Sequence, residues 1–450
     1  MIKRLPGDVL NIFRLFGGFD AELYLVGGSL RDLVLGKNPK DYDFATNLRP
    51  HDTMAKLSGM GFSVIGTGLK HGTITLVYNG NNYEITTYRI DYAYTNRRRP
   101  DAVGFASSLF QDLSRRDFTI NALAYNPRTG IIDHFDGIKD INDKLVKAVG
   151  NPADRFNEDA LRMLRAIRFS ASLDFTVDKK TYDAIVLAKD GMKYLSKEKI
   201  RDELVKLLTS NNPRIGLTYL KDAGLMDFII PELTAFFEYN QCTPYHDKDL
   251  FEHTICVVEN TENDLVLRLA ALLHDIAKPR CRTFDEKGHA HFYQHHKTGG
   301  GMTKDILSSL KFDNATVKRV SVLVYEHMTR FNPLPKNSTL KRMINRVGSE
   351  NLDSLFKLQK ADILASAPPH DITGISAVEQ RCKDILNAKQ PLSVKDLAVN
   401  GDDIMSLGIP RGPVIGNILN TMLKMVLEQP ELNDKSILMK FVQEGYPCAK

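Results

Sequence analysis

The stretch LYLVGGSLRDLVLGKNPKDYDFAT, residues 23–46, decides how the rest of the chain is read. The apolar run Leu23–Val26 predicts a strand that breaks into Gly27-Gly28-Ser29. A short helical pattern from Leu30 to Leu35 follows and ends at Gly36. After Pro39 come two aspartates, Asp41 and Asp43, entering a second predicted strand. Residues i and i+2 of a strand share a face, so the two carboxylates are expected side by side, with Tyr42 and Phe44 facing the other way. Paired carboxylates raise each other's pKa, and a divalent cation with a taste for oxygen, such as Mg2+, relieves the conflict. Gly27 and Gly28 allow phosphate to approach the backbone at a helix N-terminus, and Arg31, one turn in, suits a triphosphate. A DxD pair by itself is most often a turn or cap. With the glycine turn and the strand–helix–strand frame around it, it reads as a site for a metal-bound nucleoside triphosphate, with Glu84 on a neighbouring strand as a weaker third carboxylate.

The chain has 450 residues, too many for a single core, and an ordinary globular composition. No apolar run is long enough to span a membrane, and MIKRLPGDVL lacks the features of a secretion signal, so no membrane association and a cytoplasmic location are expected. Five scattered cysteines without CxxC spacing fit a reducing compartment and argue against a thiolate zinc site. The net charge is only +5, but Arg97–Arg99, Arg115-Arg116 and the series Arg162, Arg165, Arg168 cluster in one region. A solvated charged face explains any one of these clusters; three beside a phosphate-type loop favour an anionic partner.

Taken in order, residues 1–22 predict a helix closed by Gly17-Gly18, and residues 51–60 another. FSVIGTG predicts a strand, and GTITLVYNGNNYEITTYR a hairpin turning at Asn79-Gly80. The polar stretch 89–112 reads as a long mobile loop. SRRDFTINALAYN and IIDHFDG add helix and strand, and the first domain closes near Gly150-Asn151-Pro152. Everything beyond reads as helical, including PLSVKDLAV near the end.

VGGSLRDLVLG…DYDFAT, SRRDFTINALAYN and NEDALRMLRAIRFSA together resemble the bacterial tRNA nucleotidyltransferase (CCA-adding enzyme) and poly(A) polymerase family. The resemblance is strong over roughly residues 20–240 and weaker through the tail. It implies an α+β fold: a polymerase-β-type nucleotidyltransferase head with a small mixed sheet, then an all-α neck, an HD domain and a helical tail. The expected boundaries are 1–150, 151–243, 244–375 and 376–450. It further implies nucleotidyl transfer to an RNA 3′ hydroxyl without a nucleic-acid template, with Asp41 and Asp43 holding Mg2+, Gly28 and Arg31 contacting the triphosphate, and Arg116 touching the nucleotide.

In the segment 158–168, three-residue steps along one helix would place Asp159, Arg162, Arg165 and Arg168 on a slanting ladder. Read bare, Asp159 and Arg162 make an i,i+3 ion pair on an exposed helix, worth about 0.2–0.5 kcal/mol. The resemblance implies that Asp159 and Arg162 read the incoming base edge while Arg165 and Arg168 help bind the nucleotide. A carboxylate acceptor beside a guanidinium donor matches N4 and N3 of cytosine and N6 and N1 of adenine, whereas uracil O4 and guanine O6 would face the carboxylate. In members of this family that add only cytidines, the loop corresponding to 89–112 is shortened or degenerate. This chain keeps it, so adenosine addition is expected.

Eight of the twelve histidines lie between His246 and His327, around LLHDIAKP. Alternating imidazoles and carboxylates on successive helices suit a divalent-metal hydrolase site. The pattern resembles the HD phosphohydrolase superfamily, which implies His253, His274, Asp275 and Asp362 as ligands of a second metal (Ni2+, Mn2+ or Fe2+), with His296 and His327 as additions. An RNA-binding scaffold, or a satisfied buried His–Asp contact, is the alternative.

The expected function is therefore addition of the 3′-terminal CCA to tRNA from CTP and ATP, with no obligate protein partner. A poly(A) polymerase or A-adding enzyme of the same family, and an HD-domain metal phosphohydrolase, are the rival readings. The body and tail are expected to bind the tRNA acceptor arm by shape and phosphate contacts.

Overall fold

The computed structural model describes residues 5–92, 102–243, 245–331 and 333–445, which fall into two compact units divided after Thr234. The first unit opens with helix α1 (Gly7–Gly17), strand β1 (Leu23–Val26), α2 (Gly28–Val34), β2 (Asp43–Thr46) and α3 (Pro50–Gly59). Strands β3 (Ser63–Gly68), β4 (Thr73–Tyr78) and β5 (Asn81–Thr87) follow. The two-residue turn between β4 and β5 has positive φ at both Asn79 and Gly80, as a hairpin of right-twisted strands requires.

Residues 89–112 depart from the expectation of one long loop. Strands β6 (Arg89–Tyr92) and β7 (Ala102–Phe105) pair antiparallel, and α4 (Leu109–Ser114) begins with Ser108 accepting from the Gln111 amide. The tip of this segment, 93–101, lies outside the described residues. Strands β8 (Leu123–Asn126) and β9 (Gly130–Asp133) and helix α5 (Gly137–Asn142) complete the head.

Seven strands form one mixed sheet in the order β3-β4-β5-β2-β1-β8-β9, whose one parallel pairing is β2 with β5. Alternation along β1 and β2 sorts the two faces. Leu23, Leu25 and Phe44 join Val9, Ile12 and Phe16 of α1 in one core, where Phe13 meets Phe44 edge-on at 5.5 Å. Val26 and Ala45 point the other way, to a second cluster with Tyr88, Leu109 and Leu113. Asp43 shares that second face with Ala45, so the sheet core fixes where its carboxylate points.

The strands β10 (Leu145–Val146) and β11 (Thr176–Val177) pair in parallel across α6 (Pro152–Glu158) and α7 (Leu161–Leu173). The unit continues with α8 (Lys179–Ala188), α9 (Lys197–Leu208), α10 (Pro213–Asp222) and α11 (Met226–Ile229), and α7 packs on α9 and α10.

The second unit holds α12 (Leu250–Glu259), α13 (Leu265–Leu273) and α14 (Lys278–Cys281), then a β-hairpin, β12 (Arg282–Phe284) with β13 (Ala290–Phe292). That hairpin corrects the all-helical expectation for this region. Helices α15 (His295–Ser309), α16 (Asn314–Glu326), α17 (Asn337–Val347) and α18 (Leu352–Ala365) follow, with α12, α13 and α18 packed together and α15 against α16. The tail comprises α19 (Thr373–Asn387), α20 (Gly401–Met405), α21 (Pro413–Glu428) and α22 (Lys435–Gly445). PLSVKDLAV contributes only a single 3-10 turn, Val394–Asp396, closed by a capping box from Ser393. Among the described residues, no helix is long and apolar enough to cross a membrane.

Candidate functional site

Gly27 turns the chain from β1 into α2 with φ +73°, and a Cβ there would meet Arg116 Nη1 at 3.1 Å. Both the backbone angle and the close approach call for glycine. A Cβ on Gly28 would sit 3.5 Å from Arg31 Nη2. The turn is thus covered by two guanidiniums, one from α2 and one from the RRDFTINA segment. Arg31 is buried, donates to Asp32 Oδ1 at 2.7 Å and reaches Asn121 Oδ1 at 2.8 Å. Asn121 in turn donates to Asp117 Oδ1 at 3.0 Å, and Arg165 clasps Asp117 Oδ2 through Nε at 2.8 Å and Nη2 at 2.6 Å. Burial pushes the Asp117 carboxyl up, but the Arg165 charge and the hydrogen bonds from Asn121 and Arg165 outweigh it and hold the group at about 2. Arg116 donates to Asp112 at 3.0 Å, and its buried Nε has no partner.

Asp43 is the first residue of β2, while Asp41 lies exposed in the lead-in rather than on the strand. Opposite Asp43 in the parallel pairing stands Glu84. Burial, then the charges of Glu84 and Asp41, push the Asp43 carboxyl up to about 6 against the opposing pull of Arg116. A carboxylate strained in this way by two like neighbours suits a divalent cation, although no three ligand atoms of this set close to within 4.8 Å of one another.

The helical ladder expected over 158–168 is broken. Helix α6 ends at Glu158, Asp159 is extended with φ −141° and ψ 103°, and α7 begins at Leu161. Asp159 accepts from the Leu161 amide at 3.0 Å, in the manner of a cap. Arg162 turns to Glu158 at 2.6 Å and to the backbone oxygens of Arg155 at 3.1 Å and Arg115 at 2.9 Å. It therefore ties α7 to the segment that carries Arg116. Arg168 pairs with Glu203 of α9 at 2.7 Å. The structure brings Gly28, Arg31, Arg116, Arg162, Arg165 and Arg168 into one connected region and places Asp159 at its helix break.

In the second unit, two metal-type groups lie side by side: His253, His274 and Asp362, and Asp275, His295 and His327. Each imidazole donates from Nδ1 to a backbone oxygen: His253 to Ala365 at 3.4 Å, His274 to Ala271 at 2.8 Å, His295 to Phe292 at 2.7 Å and His327 to Val324 at 2.7 Å. In the neutral rings that a metal requires, those bonds leave each Nε2 as a lone pair facing inward. His295 and His327 bring theirs to 3.3 Å, two acceptors facing each other, and the buried Nε2 atoms of His253 and His274 have no hydrogen-bond partner. Cations resolve such an arrangement, so the donor set fits divalent metal. Asp275 spans both groups, with Oδ2 at 3.1 Å from His274 and Oδ1 at 3.2 Å from His295. Burial lowers His327 to about 3, in keeping with a neutral ligand.

The expected addition His296 is replaced by its neighbour. Gln294 adopts φ +58° and α15 starts at His295, which turns His295 into the cluster and leaves His296 against Tyr325. A cavity of about 680 Å3 opens over the cluster, lined among others by Lys278, Arg330, Tyr245 and Tyr293. Lys278 reaches Asp275 Oδ2 at 2.7 Å, and Arg330 holds Asp362 Oδ2.

The chain matches the family models for the poly A polymerase head domain over residues 23–147, the probable RNA and SrmB-binding site of polymerase A over 174–237, and the HD domain over 250–367. The CCA-adding enzyme of Lactobacillus johnsonii is 33% identical over 421 residues, covering 94% of this chain and 93% of the relative. The chain belongs to the CCA-adding enzyme family. The CCA-adding enzyme of Ligilactobacillus salivarius is 32% identical over 426 residues, covering 94% and 92% of the two chains. The crystal structure of the Bacillus stearothermophilus CCA-adding enzyme in complex with CTP superposes with a TM-score of 0.75 at 26% identity, covering 97% of this chain and 96% of that one. The Thermotoga maritima CCA-adding enzyme complexed with tRNA shares the fold, with a TM-score of 0.56 at 20% identity over 98% and 97% of the chains. In this member of the CCA-adding enzyme family, the glycine turn and the Asp41/Asp43 pair lie inside the head model. Asp159 to Arg168 fall between the head and RNA-binding models, and the histidine groups lie inside the HD model. As a nucleotidyltransferase with an HD domain, it belongs to families that use divalent metals.

Sequence reasoning missed Asp117, Asn121 and His295. RRDFTINA holds the first two, and their place beside Arg116 in that segment was the available signal.

Proposed function

We propose that this chain rebuilds the 3′-terminal CCA of tRNA, transferring cytidylyl groups from CTP and an adenylyl group from ATP to the RNA 3′ hydroxyl without a nucleic-acid template. The observation that carries this reading is the meeting of a glycine turn, a strained carboxylate set and a guanidinium cluster in one head, in a chain that aligns with CCA-adding enzymes along nearly its whole length.

Asp41 and Asp43, with Glu84 beside them, would hold Mg2+, which when bound neutralises phosphate charge and acidifies a hydroxyl. Gly28 and the α2 N-terminus would take a phosphate against backbone N–H groups. Arg31 and Arg116 would flank it, and Arg165 and Arg168 would complete the nucleotide site. Asp159 and Arg162 are assigned the base edge. Supporting this, Arg162 is bonded to the Arg115 carbonyl next to Arg116. Reading a base requires Arg162 to exchange its Glu158 contact for the incoming cytosine or adenine. Salt-sensitive tRNA binding is expected along the helical body and tail. Among the described residues no cysteine forms a disulfide, which supports a reducing cytoplasmic location.

The test is incorporation of labelled CMP from CTP into tRNA lacking its 3′ CCA. Asp41→Asn and Asp43→Asn should lose incorporation while still binding tRNA; unchanged incorporation would refute their assignment.

A second activity is favoured by the inward-facing Nε2 atoms of the histidine groups. His253, His274, Asp275 and Asp362, with His295 and His327, would hold Ni2+, Mn2+ or Fe2+. Such metals supply a Lewis acid toward a phosphoester oxygen. Lys278 and Arg330 would then face the phosphate in the cavity above. Protein stripped with a chelator and reloaded should retain metal and turn over simple phosphoesters; retention of no metal would leave a scaffold.

A further inference from the structure

Phe169, buried on α7, is touched by three guanidiniums at once. Arg168 Cζ lies 3.7 Å from the ring centroid, Arg31 Cζ 5.0 Å and Arg165 Cζ 5.4 Å. Arg31 comes from α2 behind the glycine turn and the other two from α7, so one ring joins two elements far apart in sequence. Phe118, in the RRDFTINA segment, packs edge-on against it at 5.7 Å. Three cations around one ring repel each other, and each is also tied to its own carboxylate: Asp32, Asp117 and Glu203. Those carboxylates fix the outer sides of the guanidiniums. The negative face of the ring is the contact that all three share.

We propose that Phe169 is a positioning residue that holds Arg31, Arg165 and Arg168 as one preassembled guanidinium set for the triphosphate of the incoming nucleotide. The proposal rests on the reading of this head as the nucleotide site and adds what organises its cations. The set addresses phosphate and not base, so CTP and ATP are served alike, and a nucleoside monophosphate gains little from it.

The experiment is equilibrium binding of CTP, ATP and CMP to the full chain and to Phe169→Leu, Phe169→Met and Phe169→Tyr, with thermal unfolding of each. Wild type is expected to prefer CTP over CMP. Leu and Met, which fill the volume without a quadrupole, should shrink that preference about tenfold, from the loss of three ring contacts. The CTP-to-ATP ratio should stay constant, and Tyr should restore the wild-type preference. A purely structural ring would instead lower the unfolding temperature and weaken CTP and CMP equally. That result, in whichever of Leu or Met folds, overturns the proposal. A wild type with no preference for CTP over CMP overturns the triphosphate reading itself, and the proposal with it.

Discussion

Asp43 stands opposite Glu84 across the one parallel pairing of the sheet, so two carboxylates share one face of it. Burial and this neighbour raise Asp43 to about 6. Its ionisation therefore costs the metal-free fold stability at neutral pH, and the cost disappears as pH falls through 6 toward the unfolded value near 4. Asp43→Asn should accordingly unfold at higher denaturant than wild type at pH 7.5 in a chelator, by about 1–2 kcal/mol after allowing for partial solvent screening. The difference should vanish near pH 4, and nucleotide transfer should be lost. A destabilised Asp43→Asn at pH 7.5 would mean that the carboxylates are not in conflict.

The Asp117–Arg165 pair predicts the opposite dependence. Asp117 is held at about 2, so its contribution is present above the unfolded pKa near 4 and fades as pH falls toward 2. Asp117→Asn should destabilise the first unit by about 1–3 kcal/mol at pH 7, because it leaves the half-buried Arg165 guanidinium without its anion. It should also raise KM for both nucleotides. Denaturant unfolding and steady-state kinetics check the two parts separately.

Base selection has its own test, modified by what the structure shows. Exchanging Asp159→Arg and Arg162→Asp should shift preference from CTP and ATP toward UTP and GTP. The new carboxylate at 162 would sit against Glu158, the present partner of Arg162 at 2.6 Å. Glu158→Gln should therefore be included to spare the fold that repulsion. Competition among the four nucleotides is the readout, and an unchanged preference for CTP and ATP would remove these residues from base reading.

In the second unit, His274→Ala removes an inward Nε2 that has no hydrogen-bond partner. Metal content by elemental analysis after reloading should fall well below wild type, whereas His296→Ala, at the residue turned toward Tyr325, should keep it. Equal loss in both would contradict the placement of His295 in the cluster.

What was legible in the chain was local. The glycine turn and the Asn79-Gly80 hairpin are written in adjacent residues, and the structure has both; of the aspartate pair only Asp43 lies on the strand. Glu84 was visible only as a weak candidate, because its register with Asp43 depends on β5 lying beside β2, a pairing no local pattern specifies. The break at Asp159 was hidden for a different reason: no proline or glycine stands between Phe156 of α6 and Leu161 of α7 to announce a stop. The choice of His295 over His296 depends on where α15 begins, and a left-handed Gln294 sets that point. The β12–β13 hairpin escaped notice because RTFDEKGHAHF is short and polar, with Gly288 as its one turn signal.

A chain that rebuilds the CCA end adds a defined number of residues and stops. Incubating it with tRNA that lacks the three terminal residues, together with CTP and ATP, and resolving product length on a sequencing gel tests this directly. Growth by three residues followed by arrest, with growth by two when ATP is omitted, is the predicted result. A long ladder of adenosines, or extension by one adenosine only of tRNA already ending in CC, would contradict it.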